Sequence, residues 1–346
     1  MIALISGSLI TFTACSDDDD DPDVVDKTEL AAKIQEAEDL IDNTTEGTAE
    51  GQYQPGAKAE LQEVIDLVTA VYADDEATQT QVDNAVIALD AAIEAYEARQ
   101  VIAIAPEDLV GHWTFDEGEG TLANDFSGNN FHGTLETGHP NWGAGTPQWT
   151  TDRYGNENQA IYFNNGANVE VPFNAQLNPS QAITISLWMK PDQLEEPWAN
   201  NYMVSLNRWN GYKFQLQDAP KLFFTIKALH EGNEVYHDRD NESPTVNLGE
   251  WYHVAVTFKD GEMGFYLDGT LVKLWDNTPG TPIQLDTPVN LSIGQDLPTG
   301  IYSDDDQSPY YVNWGGYFQG ILDEVRIFKT ALTETQIQSI YDLEKP

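Results

Sequence analysis

The chain has 346 residues, 40% of them apolar and 11% aromatic, enough for about two or three domains with substantial cores. Its 58 acidic and 16 basic residues give a formal charge of −42, which repels phosphate backbones and anionic lipid headgroups and excludes nucleic acid as a partner. A single cysteine excludes an internal disulfide framework and any Cys-x-x-Cys metal site.

That cysteine, Cys15, ends the mostly apolar run "MIALISGSLITFTA" and is followed by Ser16 and five aspartates. The run is shorter than the roughly 20 residues that span a bilayer and fits the apolar part of a secretion signal. The basic stretch expected before it would lie upstream or have been removed. "FTAC" resembles a bacterial lipobox, with small Thr13 and Ala14 before the cysteine and Phe12 where leucine is usual. The resemblance implies that residues 1–15 are a lipoprotein signal segment and that Cys15 is the lipidated first residue of the mature chain, since several acyl chains anchor stably where one does not. Ser16-Asp17-Asp18 resembles the acidic export signal of surface lipoproteins in polysaccharide-degrading Gram-negative bacteria. The expected location is therefore the outer membrane, facing the medium. Residues 16–26 read as an acidic disordered tether.

Three segments of helical period follow, carrying Leu30, Ile34, Ala37 and Ile41; Leu61, Ile65, Val68 and Tyr72; and Val82, Val86, Leu89, Ile93 and Tyr96. Asp26-x-x-Glu29 and Thr78-x-x-Gln81 read as capping boxes, and Pro55 suits a first helical turn. Three helices of about 20 residues make a small bundle. The stretches "TEGTAEGQYQPGAKAELQEVI" and "ATQTQVDNAVIALDAAIEAY" resemble FIVAR-type three-helix modules of bacterial surface proteins, which implies a spacer over residues 27–100.

After Pro106 the period changes to two. "AITISLWMK" puts Ile183, Ile185, Leu187 and Met189 on one face and Thr184, Ser186 and Trp188 on the other; Tyr252, Val254, Val256 and Phe258 alternate likewise. Asp260-Gly261 and Asp268-Gly269 sit where tight hairpins need them. Many short strands broken by Gly, Pro and Asn predict an all-β antiparallel sandwich. "LVGHWTFDEGEGTLANDFSGNNFHGTL" and "GYFQGILDEVRIFKTALTETQIQSIYD" resemble the first and last blocks of a LamG-like (concanavalin A-like) jelly roll, which implies that fold over 107–346. The expected architecture is thus multidomain: a three-helix bundle, then a jelly-roll sandwich.

Alternation along "ILDEVRI" places Asp323 with Ile321, Val325 and Ile327, facing the core or its rim. An unpaired carboxylate there is costly. Two partners suit it: backbone N–H groups of a neighbouring loop, or calcium shared with Asp125 and the backbone around Ser127–Asn130. The resemblance implies a structural calcium, with Asp125, Asn130 and Asp323 as its ligands and oxygen donors at the distances calcium prefers.

Jelly rolls resembling laminarinases carry Glu-x-Asp-x-x-Glu, three carboxylates on one strand face; no expected strand here has it. The six histidines are scattered, so zinc is not expected, and His253 reads as a structural hydrogen-bonding group. Of nine tryptophans, Trp113, Trp188 and Trp251 fall where they would pack, while others sit in loops rich in Asn, Gly and Ser. Sugar rings stack on aromatic faces and need polar partners for their hydroxyls, so a ligand site is expected at Trp209 with Arg208 and Asn210, at Trp314 with Asn313, and at Trp198. The bland alternative folds these rings over the core rim. The function expected is non-catalytic binding of extracellular glycan, with polysaccharide-uptake machinery as a further partner. An adhesive surface protein and a divergent glycoside hydrolase are the alternatives.

Overall fold

The computed structural model describes residues 25–48, 50–193, 201–217 and 220–346. Cys15, the tether up to residue 24, and Trp198 lie outside the described residues. The described chain divides into two compact units: one comprises the helices, up to Thr45 and Gly56–Glu97, and the other comprises Glu46–Pro55 with Ala98–Pro346. Residues 46–55 join the second unit through backbone pairing with 99–101, including Val101 N–H to Gln52 O at 2.8 Å and Gln54 N–H to Arg99 O at 3.1 Å.

In the first unit, helices α1 (Thr28–Asn43), α2 (Ala57–Ala73) and α3 (Gln79–Glu97) pack on one another. They bury the residues that recur every three or four positions: Leu30, Ile34 and Ala37; Leu61, Ile65 and Val68; Val82, Val86, Leu89, Ile93 and Tyr96. Tyr72, expected in the α2 stripe, is instead exposed, with the Lys27 ammonium 6.0 Å from its ring. The Thr78–Gln81 box forms: each residue's side chain accepts the other's backbone N–H. Asp26 caps differently from expectation, taking the Thr28 N–H at 2.9 Å. Pro55 stays outside α2, which starts after Gly56 at φ +89°. Lys58 closes the far end of α1, its ammonium on the carbonyls of Ile41 at 2.6 Å and Thr44 at 2.7 Å.

The second unit is an antiparallel sandwich of an eight-stranded and a nine-stranded sheet. The first sheet runs in the order Thr270–Thr278, Gly261–Leu267, Tyr252–Lys259, Ala182–Pro191, Gly320–Phe328, Ala160–Phe163 and Gln148–Thr150, with Leu109–Trp113 also pairing on Gly320–Phe328. Ile183, Ile185, Leu187 and Met189 face the core with Val254, Val256 and Phe258, as the alternation predicts. At Asp268-Gly269 both residues have positive φ, +49° and +79°, the geometry that a two-residue hairpin linking right-twisted strands requires.

The centre of this sheet's other face is covered by α4 (Glu334–Glu344). Ile337 and Ile340 pack with Ala255, Tyr266, Phe328 and Leu332. Thr184, Ser186 and Trp188 are therefore buried as well, and Thr184 and Trp188 bond to the C-terminal segment: the Thr184 hydroxyl to Thr330 O at 2.7 Å, the Trp188 indole N–H to Glu344 Oε2 at 2.9 Å. A capping box between Thr333 and Gln336 starts α4.

The last strand departs from simple alternation. Its register on Ala182–Pro191 shifts between Asp323 and Arg326, and Glu324 has φ +53°. Leu322, Val325 and Ile327 reach the core, whereas Asp323 turns to the α4 side, opposite Trp188. There it joins an ion network: Arg153 bonds Asp323, Arg326 bonds Glu324 at 2.6 Å and Glu344 at 2.5 Å, and His112 Nε2 meets Glu324 at 2.6 Å. Burial pushes the Asp323 carboxyl up against the pull of Arg153, while Arg326 and His112 draw Glu324 down despite its own burial.

His253 lies fully buried beside this network, with Nε2 2.9 Å from the Ser186 hydroxyl. Burial, with Arg326 and Arg153 nearby, holds its imidazole down to about 3. The unfolded chain takes up a proton near pH ~6.5 that the folded state refuses, so this stabilisation is complete above that pH and is lost as pH falls towards 3. At pH 5 the loss is about 2 kcal/mol. The urea midpoint is expected to be lower at pH 5 than at pH 7.5, and His253→Gln to reduce that difference; equal pH slopes for the two proteins would contradict the assignment.

Candidate functional site

The nine-stranded sheet runs Asn233–Asp240, Lys221–His230, Tyr212–Gln217, Asn201–Leu206, Leu291–Ile293, Asn168–Val171, Gly133–Glu136 and Leu122–Ala123, with Thr281–Pro282 also pairing on Lys221–His230. Phe214, Leu216, Phe224, Ile226, Leu291 and Ile293 point into the core. Alternation then sends Lys213, Gln217, Phe223, Thr225 and Asp238 to the opposite face. Register aligns Lys213 with Thr225, and Thr225 with Asp238, across three neighbouring strands. Thr225 donates its hydroxyl to Asp238 Oδ1 at 2.5 Å.

Two loops rise beside this row. The first is the turn Arg208–Asn210, which joins Asn201–Leu206 to Tyr212–Gln217; Asn207 and Arg208 both have positive φ, +58° and +52°. The second is the long segment after Leu291–Ile293, which ends in the turn Val312–Trp314. Arg208 ties them together. Its side chain is 0% exposed, and its guanidinium bonds the Asp296 carboxylate, Pro309 O at 3.1 Å and Tyr311 O at 3.1 Å. Asp296 also accepts the Tyr302 hydroxyl and the Gly316 N–H. Burial and the Asp296 charge raise Tyr302 well above its ordinary range, so it stays a donor. Gly315 must be glycine here, since a Cβ would fall 2.7 Å from the Trp142 ring and 2.9 Å from Arg208 Nη2.

This hub brings two of the expected rings together. The Trp209 and Trp314 centroids are 6.2 Å apart at 54°, and Tyr311 meets Trp314 edge-on at 5.4 Å. With Tyr202, Lys213, Gln217, Phe223 and Asp238 they line a cleft of about 410 Å³. Trp314 is 46% exposed, so its face is open to a ligand. A second depression of about 370 Å³, beside Asn129, Gln176, Gln181 and Gln284, is lined by no aromatic ring.

The remaining expected residues fall elsewhere. Arg208 is a structural strut beneath the rings, 5.3 Å from Trp209, because Asp296 and two carbonyls engage all three of its guanidinium nitrogens. Asn313 donates to the Tyr311 hydroxyl at 2.7 Å, and neither it nor Asn210 is among the residues lining the cleft. Asp125 and Asp323 do not share a site. Asp125 accepts the backbone N–H groups of His112, Ser127 and Phe131 and the Ser127 hydroxyl, at 2.8 to 2.9 Å, so it is a loop pin, one of the two roles that suited Asp323 in sequence. Asp323 is held by Arg153, and the Asn130 amide turns to Gly128 O. Among the described residues, no group of three or more His, Cys, Asp or Glu side chains is placed to hold a metal ion.

Sequence reasoning missed Tyr202, Lys213, Gln217, Phe223 and Asp238. The signal was the alternation along "YKFQLQ", which sets Lys213 between two core aromatics and on the face opposite them.

Residues 163–338, half of the chain, match the model of the concanavalin A-like lectin/glucanases superfamily. The chain belongs to this superfamily. The match lies within the sandwich, and Leu109–Trp113, which precedes it, pairs into the same sheet. The chain is 24% identical over 163 residues, 46% of its length, to adhesion G-protein coupled receptor V1 of Danio rerio, of which it spans 2%. Domain 4 of AbnA, an extracellular arabinanase of Geobacillus stearothermophilus solved with arabinotriose, is similar at 20% identity and TM-score 0.49, over 68% of this chain and 98% of that one. The binding domain of Paraclostridial Mosquitocidal Protein 1 is similar at 18% identity and TM-score 0.48, over 68% of this chain and 52% of that one.

Removing one partner of a buried ion pair leaves the other charge uncompensated, at a cost of about 3–5 kcal/mol. Arg208→Met is therefore expected to lower the thermal midpoint of the sandwich by many degrees. A midpoint within ~2 °C of wild type would show that the hub does not hold the loops.

Proposed function

We propose that the sandwich binds polysaccharide in the Trp209–Trp314 cleft without cleaving it, at the outer surface of a cell. The observation that carries the reading is the cleft itself: two indoles converge over a row of polar side chains, and one of the indoles is nearly half exposed. Apolar C–H faces of a pyranose stack on such rings, while Gln217, Asp238 and Lys213 offer partners to its hydroxyls. Membership of a superfamily of lectins and glucanases agrees with a glycan ligand. Binding is preferred to hydrolysis because Asp238 is the one carboxylate among the described residues that line the cleft; a glycosidase places a pair of carboxylates about the scissile bond. Asp323 and Glu324 are committed to arginines.

The same reading makes Cys15 a lipid attachment point, residues 16–26 a tether, and the three helices a spacer that holds the sandwich away from the outer membrane. Mass spectrometry of the native product tests this part, and an unmodified Cys15 thiol on a protein recovered from the aqueous phase would remove it.

For the cleft, a glycan array on the full chain should find a polysaccharide ligand, with no release of reducing sugar from it. Trp314→Ala is expected to weaken that binding at least about tenfold, near 1.4 kcal/mol, while the thermal midpoint stays within ~2 °C because the ring is exposed. Trp209→Ala should weaken binding similarly. Unchanged binding in both variants would place the ligand elsewhere.

A further inference from the structure

Lys213 differs from the other buried cations. Arg153, Arg208 and Arg326 each hold a carboxylate. Lys213 is 8% exposed, and its ammonium sits over the rings of Tyr202 at 5.2 Å and Phe223 at 5.6 Å. Among the described residues it makes no hydrogen bond and no ion pair; Asp238 and Asp296 act on it only at longer range. Burial lowers its amine to about 8, so it is still mostly charged at neutral pH. A cation nine-tenths buried, without a counter-ion, lining an open cleft is a charge awaiting a partner.

We infer that the cleft selects a carboxylated sugar, a hexuronate, whose carboxylate pairs with Lys213 while its ring lies on Trp209 and Trp314. The inference rests on the cleft being the glycan site proposed above. Two neighbours shape the choice. Asp238, on the same row, has one oxygen engaged by Thr225, which leaves the other to accept ligand hydroxyls. A hexuronate carries both groups that this needs, an anionic acceptor and adjacent hydroxyl donors. Asp238 also opposes any ligand with more than one negative charge at that point. The charge of −42 on the chain repels anions at long range. That field is screened beyond about 8 Å at physiological salt, so selection falls to the contact itself.

Calorimetry on the full chain tests this with oligomers of polygalacturonate, the same oligomers with their carboxyls reduced to primary alcohols, a sialylated trisaccharide and a sulfated dextran. Native oligogalacturonate is expected to bind at least tenfold more tightly than the reduced form. Lys213→Met, which keeps the aliphatic stem, should abolish that preference without lowering the thermal midpoint, since it removes an unpaired buried charge. Lys213→Arg should retain part of it. Equal binding of native and reduced oligomers, or undiminished preference in Lys213→Met, would overturn the inference; a loss in Trp314→Ala would then still uphold glycan binding in the cleft. Stronger binding of the sialylated or the sulfated ligand would overturn the hexuronate assignment. If no glycan binds, charged or neutral, the proposed function falls and the inference with it.

Discussion

The contact between Arg208 and Asp296 is the constraint on which the site depends. Both side chains are 0% exposed. Desolvating two ions costs several kcal/mol each, and the loss is offset only when the geometry is good and further hydrogen bonds reach both groups. Here every nitrogen and oxygen of the pair has a partner: two carbonyls take the terminal guanidinium nitrogens, while a tyrosine hydroxyl and a backbone N–H bond the carboxylate. An arrangement so fully satisfied has one geometry. Loops that would otherwise sample many conformations are fixed, and Trp209 and Trp314 converge because the backbone on either side of the ion pair is pinned.

The two sheets use buried charge in different ways. On the eight-stranded sheet, Arg153, Arg326, His112, Asp323, Glu324 and Glu344 form a closed network that seats α4. Its members satisfy one another, and the α4 helix shields them. On the nine-stranded sheet, Lys213 lies in an open cleft with aromatic faces as its neighbours. A sealed, neutralised network stabilises structure, whereas an unpaired charge at an accessible surface leaves a place for something outside the chain.

Much of the architecture was legible because it rests on periodicity. The steps of three and four from Leu30 to Tyr96 gave the helices, and the alternation in "AITISLWMK" gave a central strand. What stayed hidden rests on long-range pairing. Arg208 beside Trp209 looks in sequence like a ligand-binding pair, and what makes it a strut is Asp296, 88 residues away. Asp323 was assigned to the wrong face because a bulge at Glu324 breaks the alternation on which the assignment relied. Lys213 shares the outward face of its strand with Gln215 and Gln217, and alternation alone does not show that Tyr202 and Phe223 flank it across neighbouring strands.

Gly315 separates what can change in this site from what cannot. Any side chain there would strike both Trp142 and Arg208, so the hub tolerates no substitution at that point. The exposed rim nearby, such as Asp304, Asp305 and Asp306, has no such limit. Over evolutionary time, specificity can drift along the rim while the scaffold beneath is inherited intact. Related chains that keep this glycine and its arginine would share a cleft architecture while differing in what the rim presents to a ligand.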